Sequence, residues 1–520
     1  MTTRGDVARG SALVALGSLV SRLAGLLRER ALAQYLGTSI GADVFAAATR
    51  IPALLPLVLG DAAATNAFVP GYARAMSARG PAAADRLARE ALTWASLGAV
   101  GAAGALAVLA PVLVGAVAGG LPPAAAAATV DVVRLLSAAA GLTVVASWAA
   151  AVATANRRYL LAQSLPMVTA LAVIAALVFT GAGADSFALA RAAAVGAVVG
   201  AGLQALCQLA HAGLLTRGAV LRPSATWAEA GAIASTTGRV ALHGGLLRLG
   251  IWVETAIASF LPTGALATMT YGQLIAGLPV VLVAAATSTA LMAPLAADVG
   301  AGRLESARTR LQHALEQVAY FAVPSAAAFL VMGDRLAAAV YEGGRFTAAN
   351  AVDVWWVLGA SAVGLTATTT RSIYASAFYA FADAATPLSI AAWRLGARAT
   401  LALLLGLALP WALDLPAGGA LAGLILAGGT TSWLELHLLR RALGSHVAGV
   451  GLGRARLARL WSSAGLGGGV VMALRSSTSH WAPPLDGLAL LGAFGAVYVV
   501  ATRLLDVAPD AWRTDPAGRL

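Results

Sequence analysis

The chain has 520 residues, of which 59% are hydrophobic and 11% are charged, and its mean hydropathy is +0.80. These values exclude an ordinary soluble globular domain and predict a protein embedded in a membrane. A formal net charge of +12 would suit nucleic-acid binding in a soluble chain. Here it is better explained by Arg retained on the cytoplasmic side, so no nucleic-acid partner is expected.

Taken in order, the apolar segments predict an all-α integral membrane protein of about fourteen transmembrane helices, at roughly 20 residues per crossing. The first segment runs on through Arg22 and Arg28, which indicates a retained span rather than a cleaved signal peptide. The predicted segments lie near residues 10–33, 40–62, 88–117, 124–153, 159–182, 186–214, 234–261, 265–297, 309–333, 349–381, 385–411, 417–441, 455–474 and 485–505. Between two of them, the loop 343–351 is predicted to form a tight turn and a helix start capped at Thr347.

The arginines are unevenly distributed among the connections between these segments. With the N-terminus placed inside, the connections predicted to be cytoplasmic, including both ends, hold 21 of the 35 basic residues. The connections predicted to be outside hold only Arg335, Arg345 and Arg475. The positive-inside rule therefore favours an even number of helices with both termini in the cytoplasm.

Two proline motifs of the first half recur in the second half at a nearly constant distance along the chain. The tripeptide that ends at Pro52 is matched by the one that ends at Pro279, and Pro70 is matched by Pro294 at almost the same interval. Repeated halves of about six helices, with binding near the midplane between them, are a recurrent plan in transporters. The predicted parts are an N-terminal lobe over 1–222, a C-terminal lobe over 223–445, and two further helices with a cytoplasmic tail over 446–520.

The stretch 21–73 is the most informative, because it places charged residues within apolar runs long enough to cross a bilayer. Charges at membrane depth are costly and usually face a bundle interior or a wet cavity, which makes them candidates for a functional site. Arg22 and Arg28 are six residues apart, so on an α-helix they are offset by about 120° and flank one broad face. That face is predicted to bind an anionic group. The alternative is that these arginines form structural ion pairs with Glu29, Asp43 or Asp61.

Several motifs occur here in a characteristic order: a Ser-Arg pair, a second Arg six residues on, an Asp in the next helix, an Arg before Ile-Pro, and AFVP. The matching residues are Ser21, Arg22, Arg28, Asp43, Arg50-Ile51-Pro52 and Ala67-Phe68-Val69-Pro70. This arrangement resembles the start of the MurJ (MviN) family of lipid II flippases, within the multidrug/oligosaccharidyl-lipid/polysaccharide exporter superfamily. Residues 258–279, 341–351 and 378–391 are also similar to the family, so the resemblance extends to about residue 445.

The resemblance implies a V-shaped bundle of two six-helix lobes plus two C-terminal helices in the bacterial cytoplasmic (inner) membrane. Such a protein moves lipid II, an undecaprenyl-diphosphate-linked disaccharide-peptide, from the inner to the outer leaflet by alternating access. Arg22 and Arg28 would hold the diphosphate, with Asp43 and Arg50 nearby. A guanidinium is planar and always charged, which suits this ligand. We expect a monomer among membrane lipids, with no catalytic residue, metal or cofactor.

The chain also departs from the family pattern. Many relatives have a basic pair where this chain has Pro56 and its neighbour, and an Arg and an acidic residue where it has Leu274 and Gly277. These expected cavity charges are therefore absent. We hypothesise that Arg248 and Arg371 replace part of the lost positive charge in substrate binding.

Coupling to a cation is left open by the sequence. Some relatives bind sodium through an acidic residue, which Glu254 matches, and an Asn, near whose position this chain has Arg398. These two residues are candidates for coupling, but the simpler prediction is that Arg398 neutralises Glu254. Glu435 and His437 are two residues apart and do not share a helix face, so they are not expected to bind a metal.

Two other functions remain as alternatives. An exporter of drugs, or of another polysaccharide-lipid in the same superfamily, would need a different cavity, and a basic cavity does not favour drug cations. An enzyme acting on a polyprenyl phosphate would need a cluster of catalytic acids, bases or metal ligands. The acidic residues of this chain are few and scattered, which favours a transporter.

Overall fold

The computed structural model describes residues 4–60, 64, 68–216 and 249–508. Its described part is helical apart from turns and one isolated bridge between Gly343 and Phe346. By internal contacts it forms two compact units, a first unit over Met1–Ala267 and a second unit over Thr268–Leu520. The predicted lobe boundary at residue 222 falls outside the described residues, so the division into lobes stays a prediction.

The first unit contains both long helices, of up to 37 residues, and short ones, of as few as six. Their bounds are α1 Arg4–Leu36, α2 Ile40–Arg50, α3 Val69–Arg79, α4 Pro81–Val117, α5 Pro123–Ala155, α6 Tyr159–Ser164, α7 Pro166–Thr180, α8 Ser186–Leu215 and α9 Leu249–Ala258. Proline begins α4, α5 and α7, where its missing N–H costs no intrahelical hydrogen bond. Asp185 begins α8 by accepting a hydrogen bond from the backbone N–H of Phe187 at 2.9 Å.

One helix starts in the first unit and continues into the second, and the remaining helices belong to the second unit. The bounds are α10 Ala265–Pro279, α11 Ala286–Gly300, α12 Leu304–Tyr341, α13 Ala348–Ala380, α14 Ala385–Leu403, α15 Leu409–Ala412, α16 Ala417–Leu443, α17 Arg454–Thr478 and α18 Pro483–Leu504. The predicted cap of α13 is confirmed, because the Thr347 side chain and the Asn350 side chain each accept a backbone N–H of the other residue.

The prediction of an all-α membrane protein is confirmed, whereas the count of fourteen helices stays a prediction. Ten described helical stretches are long and apolar enough to cross a membrane. The 33 residues of α1 and the 27 residues of α16 are also long enough at about 1.5 Å per residue. The second predicted segment contains only the short α2 before its helix becomes irregular, and the seventh is described only from residue 249.

The helical hydrogen-bond pattern is irregular after Pro52 and after its counterpart Pro279. A π-helical segment, Pro56–Gly60, follows Pro52, and another, Val280–Ala285, follows Pro279. A third π-helical segment, Leu404–Ala408, has no proline directly before it, so proline alone does not account for this geometry. The duplicated sequence motif nevertheless coincides with a duplicated local structure.

Helix α12 is bent, and side chains from α13 and α18 bond to the carbonyl groups that the bend releases. Pro324 cannot donate to the carbonyl of Tyr320, which instead accepts a hydrogen bond from Tyr498 Oη at 2.7 Å. Near the non-helical Met332, the indole of Trp355 donates to the carbonyls of Phe329 and Leu330. Because lipid offers no hydrogen bonds, such replacements are needed wherever a helix deviates within a membrane.

Two ion pairs join the same end of α12 to the last two helices. Arg335 Nη1 donates to Asp486 Oδ2 at 2.9 Å, and Arg475 pairs with Asp334. The two carboxyl side chains are 3% and 12% exposed, so each pair is largely withdrawn from solvent. Helices α17 and α18 are therefore fastened to α12 by charge as well as by apolar packing.

The bond between Tyr498 and the Tyr320 carbonyl gives a testable stability effect. Tyr498→Phe is expected to lower the free energy of unfolding by about 1–2 kcal/mol, because it removes a hydrogen bond to a buried carbonyl. Thermal unfolding of the purified protein in detergent measures this loss. Tyr379→Phe is the matched control, since Tyr379 is 41% exposed and its hydroxyl bonds to none of the described residues. Equal stability of the two variants would contradict the assignment.

Candidate functional site

The two arginines of α1 have different surroundings. Arg22 is exposed and makes no hydrogen bond or ion pair with the residues that the structure describes. The Arg28 side chain is 36% exposed and pairs with its neighbour Glu29. Of the ion pairs considered as the alternative for Arg28, the one with Glu29 is therefore present, whereas Asp61 lies outside the described residues.

The helix face between Arg22 and Arg28 is open. Gly25 is three residues from each of them, so it lies about 60° from both, midway across the face that they flank. A Cβ atom placed on Gly25 would meet no atom within 4 Å among the described residues outside its own helix backbone. The α1 backbone is therefore accessible between the two guanidinium groups, which leaves room for a ligand there.

The carboxylate of Asp43 has a structural role, because it accepts hydrogen bonds from two backbone N–H groups. Its Oδ2 accepts the backbone N–H of Gly264 at 2.6 Å, and its Oδ1 accepts that of Ala267 at 2.9 Å. The side chain thus caps the start of α10 from a distant part of the chain. With both oxygens engaged and only 2% of the residue exposed, Asp43 positions α2 rather than presenting a free carboxylate.

Arg50 joins α2 to α9. Its Nη1 donates to the hydroxyl of Thr255 at 2.9 Å, and its carbonyl accepts from the indole of Trp252 at 3.1 Å. Glu254 is close enough to act electrostatically on the guanidinium. Three residues predicted separately, Asp43, Arg50 and Glu254, therefore belong to one assembly within the first unit.

The backbone at Gly264, which donates to Asp43, also lies close to the backbone at Thr38. Gly264 has a φ of +95°, and a Cβ atom there would lie 2.7 Å from the carbonyl oxygen of Thr38. Glycine therefore suits both the conformation and the space at this position. Sequence reasoning missed Trp252 and Thr255 as partners of Arg50, because an indole and a hydroxyl in an apolar helix carry no recognisable motif.

In the second unit Glu435 lies between two arginines. Arg371 Nη1 is 3.3 and 3.2 Å from the two carboxylate oxygens, and Arg394 Nε is 2.8 Å from Oε2. We call these three residues the Glu435 triad. Arg371, predicted to bind substrate, is thus paired with a carboxylate of α16 that sequence reasoning did not connect to it.

The remaining predicted residues are placed as follows. The Arg398 guanidinium lies beside Gly428 of α16, where a Cβ atom would be 3.1 Å from its Nη2. Glu254 is 2% exposed. Arg248 lies outside the described residues, and its predicted role stays a prediction.

Glu435 and His437 have separate surroundings, as their spacing predicts. Glu435 belongs to the triad, whereas His437 lines a pocket of about 160 Å³ with Arg440 and apolar side chains of α12 and α17. Among the described residues no group of three or more His, Cys, Asp or Glu side chains could hold a metal ion.

At the positions where the family pattern has charged residues, this chain supplies no other polar group. Pro56 begins a π-helical segment, Leu274 is 36% exposed, and a Cβ atom on Gly277 would meet nothing within 4 Å. The absence of these charges therefore leaves apolar or open surface rather than a rearranged polar contact.

Sequence comparisons match most of the chain to a single family. A sequence model described as "Lipid II flippase MurJ" matches residues 32–485. The chain is 28% identical to a probable lipid II flippase MurJ of Rhizobium meliloti, over 82% of this chain and 79% of the relative. It is 30% identical to the lipid II flippase MurJ of Burkholderia cenocepacia, over 72% and 73% of the two chains.

Comparisons of structure agree at the level of the fold. A solved structure of "Lipid II flippase MurJ, inward closed conformation" matches with a TM-score of 0.77 and 16% identity, over 95% of this chain and 98% of the other. An inward-facing multidrug resistance transporter of the MATE family matches with a TM-score of 0.64 and 16% identity, over 81% and 95%. The chain is therefore similar in fold both to a lipid flippase and to drug exporters.

Proposed function

The chain belongs to the MurJ family of lipid II flippases, and on that premise we propose that it moves lipid II from the inner to the outer leaflet of the bacterial inner membrane. Its composition and ten apolar helical stretches are those of a multi-pass membrane protein. The proposed mechanism is alternating access without covalent chemistry. The protein acts as a monomer with both termini in the cytoplasm, in line with the distribution of its arginines.

The observation that carries this proposal is the open face of α1. Arg22 has no partner among the described residues, Arg28 is near it, and the helix surface between them is unfilled at Gly25. A diphosphate supplies the oxygens that such guanidinium groups bind best, and the contact is strong where water is scarce. Arg50 lies on the adjoining α2, where Asp43 holds the helix in place.

For coupling to a cation, Glu254 and Arg398 remain the candidates, each considered within its own unit. We propose no resident metal or cofactor, because the arginines themselves supply the positive charge that a diphosphate needs.

Rescue of a bacterium depleted of its own lipid II flippase tests the proposal. The wild-type chain is expected to restore growth, while Arg22→Ala and Arg28→Ala are each expected to reduce flipping at least about tenfold, because each removes a charge-assisted contact worth roughly 1.5–3 kcal/mol. Arg134→Ala is the matched control, since Arg134 is exposed and only loosely paired with Asp131 at 3.4 Å. Protein levels in the membrane are measured for all variants.

The outcomes separate the alternatives. Rescue that is lost in both α1 variants but kept in Arg134→Ala supports a lipid II flippase with its diphosphate site on α1. No rescue by a well-expressed wild-type chain would contradict the proposal and favour another polysaccharide-lipid or a drug as the substrate. Rescue that survives both α1 substitutions would refute the assigned site.

A further inference from the structure

We propose that the Glu435 triad is a second diphosphate-binding site, in which Glu435 is a tethered anion that occupies Arg371 and Arg394 until a ligand displaces it. This inference rests on the proposed function, since it assigns the ligand to the diphosphate group of the substrate. It adds a site in the second unit and gives Glu435 and Arg394 a role.

The charges of the triad favour an anion. Two guanidinium groups share one carboxylate, so the three side chains together carry a net charge of +1. The Glu435 side chain is 5% exposed and that of Arg394 is 12% exposed. A net positive charge in such surroundings attracts an anion far more strongly than it would in water.

The geometry shows that Arg371 has unused donors. It contacts Glu435 through a single nitrogen, at distances longer than the 2.7–2.9 Å usual for a charge-assisted bond. Its Nε is buried and has no hydrogen-bond partner among the described residues. A guanidinium presents five N–H donors in a planar fork, so most of this capacity remains available to a ligand with several oxygens.

A second carboxylate, that of Asp298, also lies between two arginines and serves as a comparison for the Glu435 triad. Asp298 accepts from Nε and Nη2 of Arg303 at 3.0 and 2.8 Å and from Nε of Arg310 at 2.5 Å. Its arginines are 56% and 50% exposed, so water also solvates them. The contact between Arg371 and Glu435 is longer than those of Asp298 and less solvated, which suits exchange with a ligand rather than a permanent bond.

Access to the triad runs along Arg371. Its side chain is 30% exposed, against 12% for Arg394 and 5% for Glu435. A diphosphate would therefore meet Arg371 first and then compete with the carboxylate for Arg394. When the ligand leaves, Glu435 returns to both arginines and restores a counter-ion to Arg371. The tethered anion thus limits affinity and favours release.

Binding of inorganic pyrophosphate to the purified full chain in detergent tests this exchange. Glu435→Gln is expected to bind pyrophosphate about tenfold more tightly than the wild type, because the competing charge is gone. The same gain is expected when Arg22 and Arg28 are both Ala, and it should vanish in Glu435→Gln combined with Arg371→Ala. Glu316→Gln is the matched control, since Glu316 pairs with Arg456 at 3.0 Å, away from the triad.

If Glu435→Gln fails to fold, the variant Arg371→Ala, which keeps Glu435, tests the inference instead. Arg371→Ala alone is expected to weaken pyrophosphate binding about tenfold in the background in which Arg22 and Arg28 are Ala. Unchanged affinity in Arg371→Ala, or unchanged or weaker affinity in a folded Glu435→Gln, would overturn the inference and leave a purely structural ion pair. Because these measurements use neither lipid II nor rescue, their failure is distinct from failure of the proposed function.

Discussion

Asp43→Ala is expected to lower the free energy of unfolding by about 3–5 kcal/mol, since it leaves two buried backbone donors at the start of α10 without an acceptor. Asp43→Asn keeps one acceptor oxygen and is expected to lose about half as much. Thermal or denaturant unfolding in detergent measures the series. The size of the expected loss reflects burial, because the residue is only 2% exposed and its hydrogen bonds are 2.6 and 2.9 Å long.

Asp131→Ala is the control for this series. Asp131 pairs with an Arg of its own helix, but its side chain is 70% exposed and the distance is 3.4 Å. Exposed pairs of this kind contribute little, so the change is expected to stay within about 0.5 kcal/mol. If Asp43→Ala were as mild as Asp131→Ala, the capping role of Asp43 would have to be abandoned.

Gly41→Ala is expected to be comparably damaging, with a loss of about 2–3 kcal/mol or more. A Cβ atom at this position would overlap the carbonyl oxygen of Ser186 and lie 2.5 Å from its carbonyl carbon. A backbone carbonyl cannot rotate away as a side chain can, so α2 would have to move off the start of α8. Transport activity should fall with stability, because Asp43 and Arg50 move with α2.

The matched control is Gly101→Ala in α4. A Cβ atom on Gly101 meets nothing within 4 Å, and alanine is a better helix former than glycine by roughly 1 kcal/mol. We therefore expect this variant to be neutral or slightly more stable than the wild type. Equal behaviour of the two glycine variants would show that α2 does not pack on α8 as described.

Much of the fold could be predicted from the sequence, because hydrophobic length and proline position act locally. Every predicted segment that the structure describes contains a helix, and the cap at Thr347 was predictable from a turn followed by a polar residue. The irregular helix after Pro52 was less predictable. Its backbone follows a π-helix from Pro56 to Gly60, a change of hydrogen-bond pattern that the apolar sequence does not reveal.

The partners of the charged residues were harder to predict than the residues themselves. An Arg or Asp in an apolar run indicates that something polar lies opposite, but it does not say what. For Asp43 the answer is a pair of backbone N–H groups far along the chain, and for Arg371 it is Glu435 on another helix. Both depend on how distant helices pack, which no local pattern encodes.

The bend in α12 has a consequence for the order in which the protein can mature. Its carbonyl at Tyr320 and its charges at Asp334 and Arg335 find partners in α17 and α18, which leave the ribosome long after α12 itself. Until α17 and α18 are present, this carbonyl and these charges lack the partners that the two helices supply, and unsatisfied polar groups are costly in a bilayer. The hydrogen bonding of α12 is therefore completed only when the last two helices have packed against it.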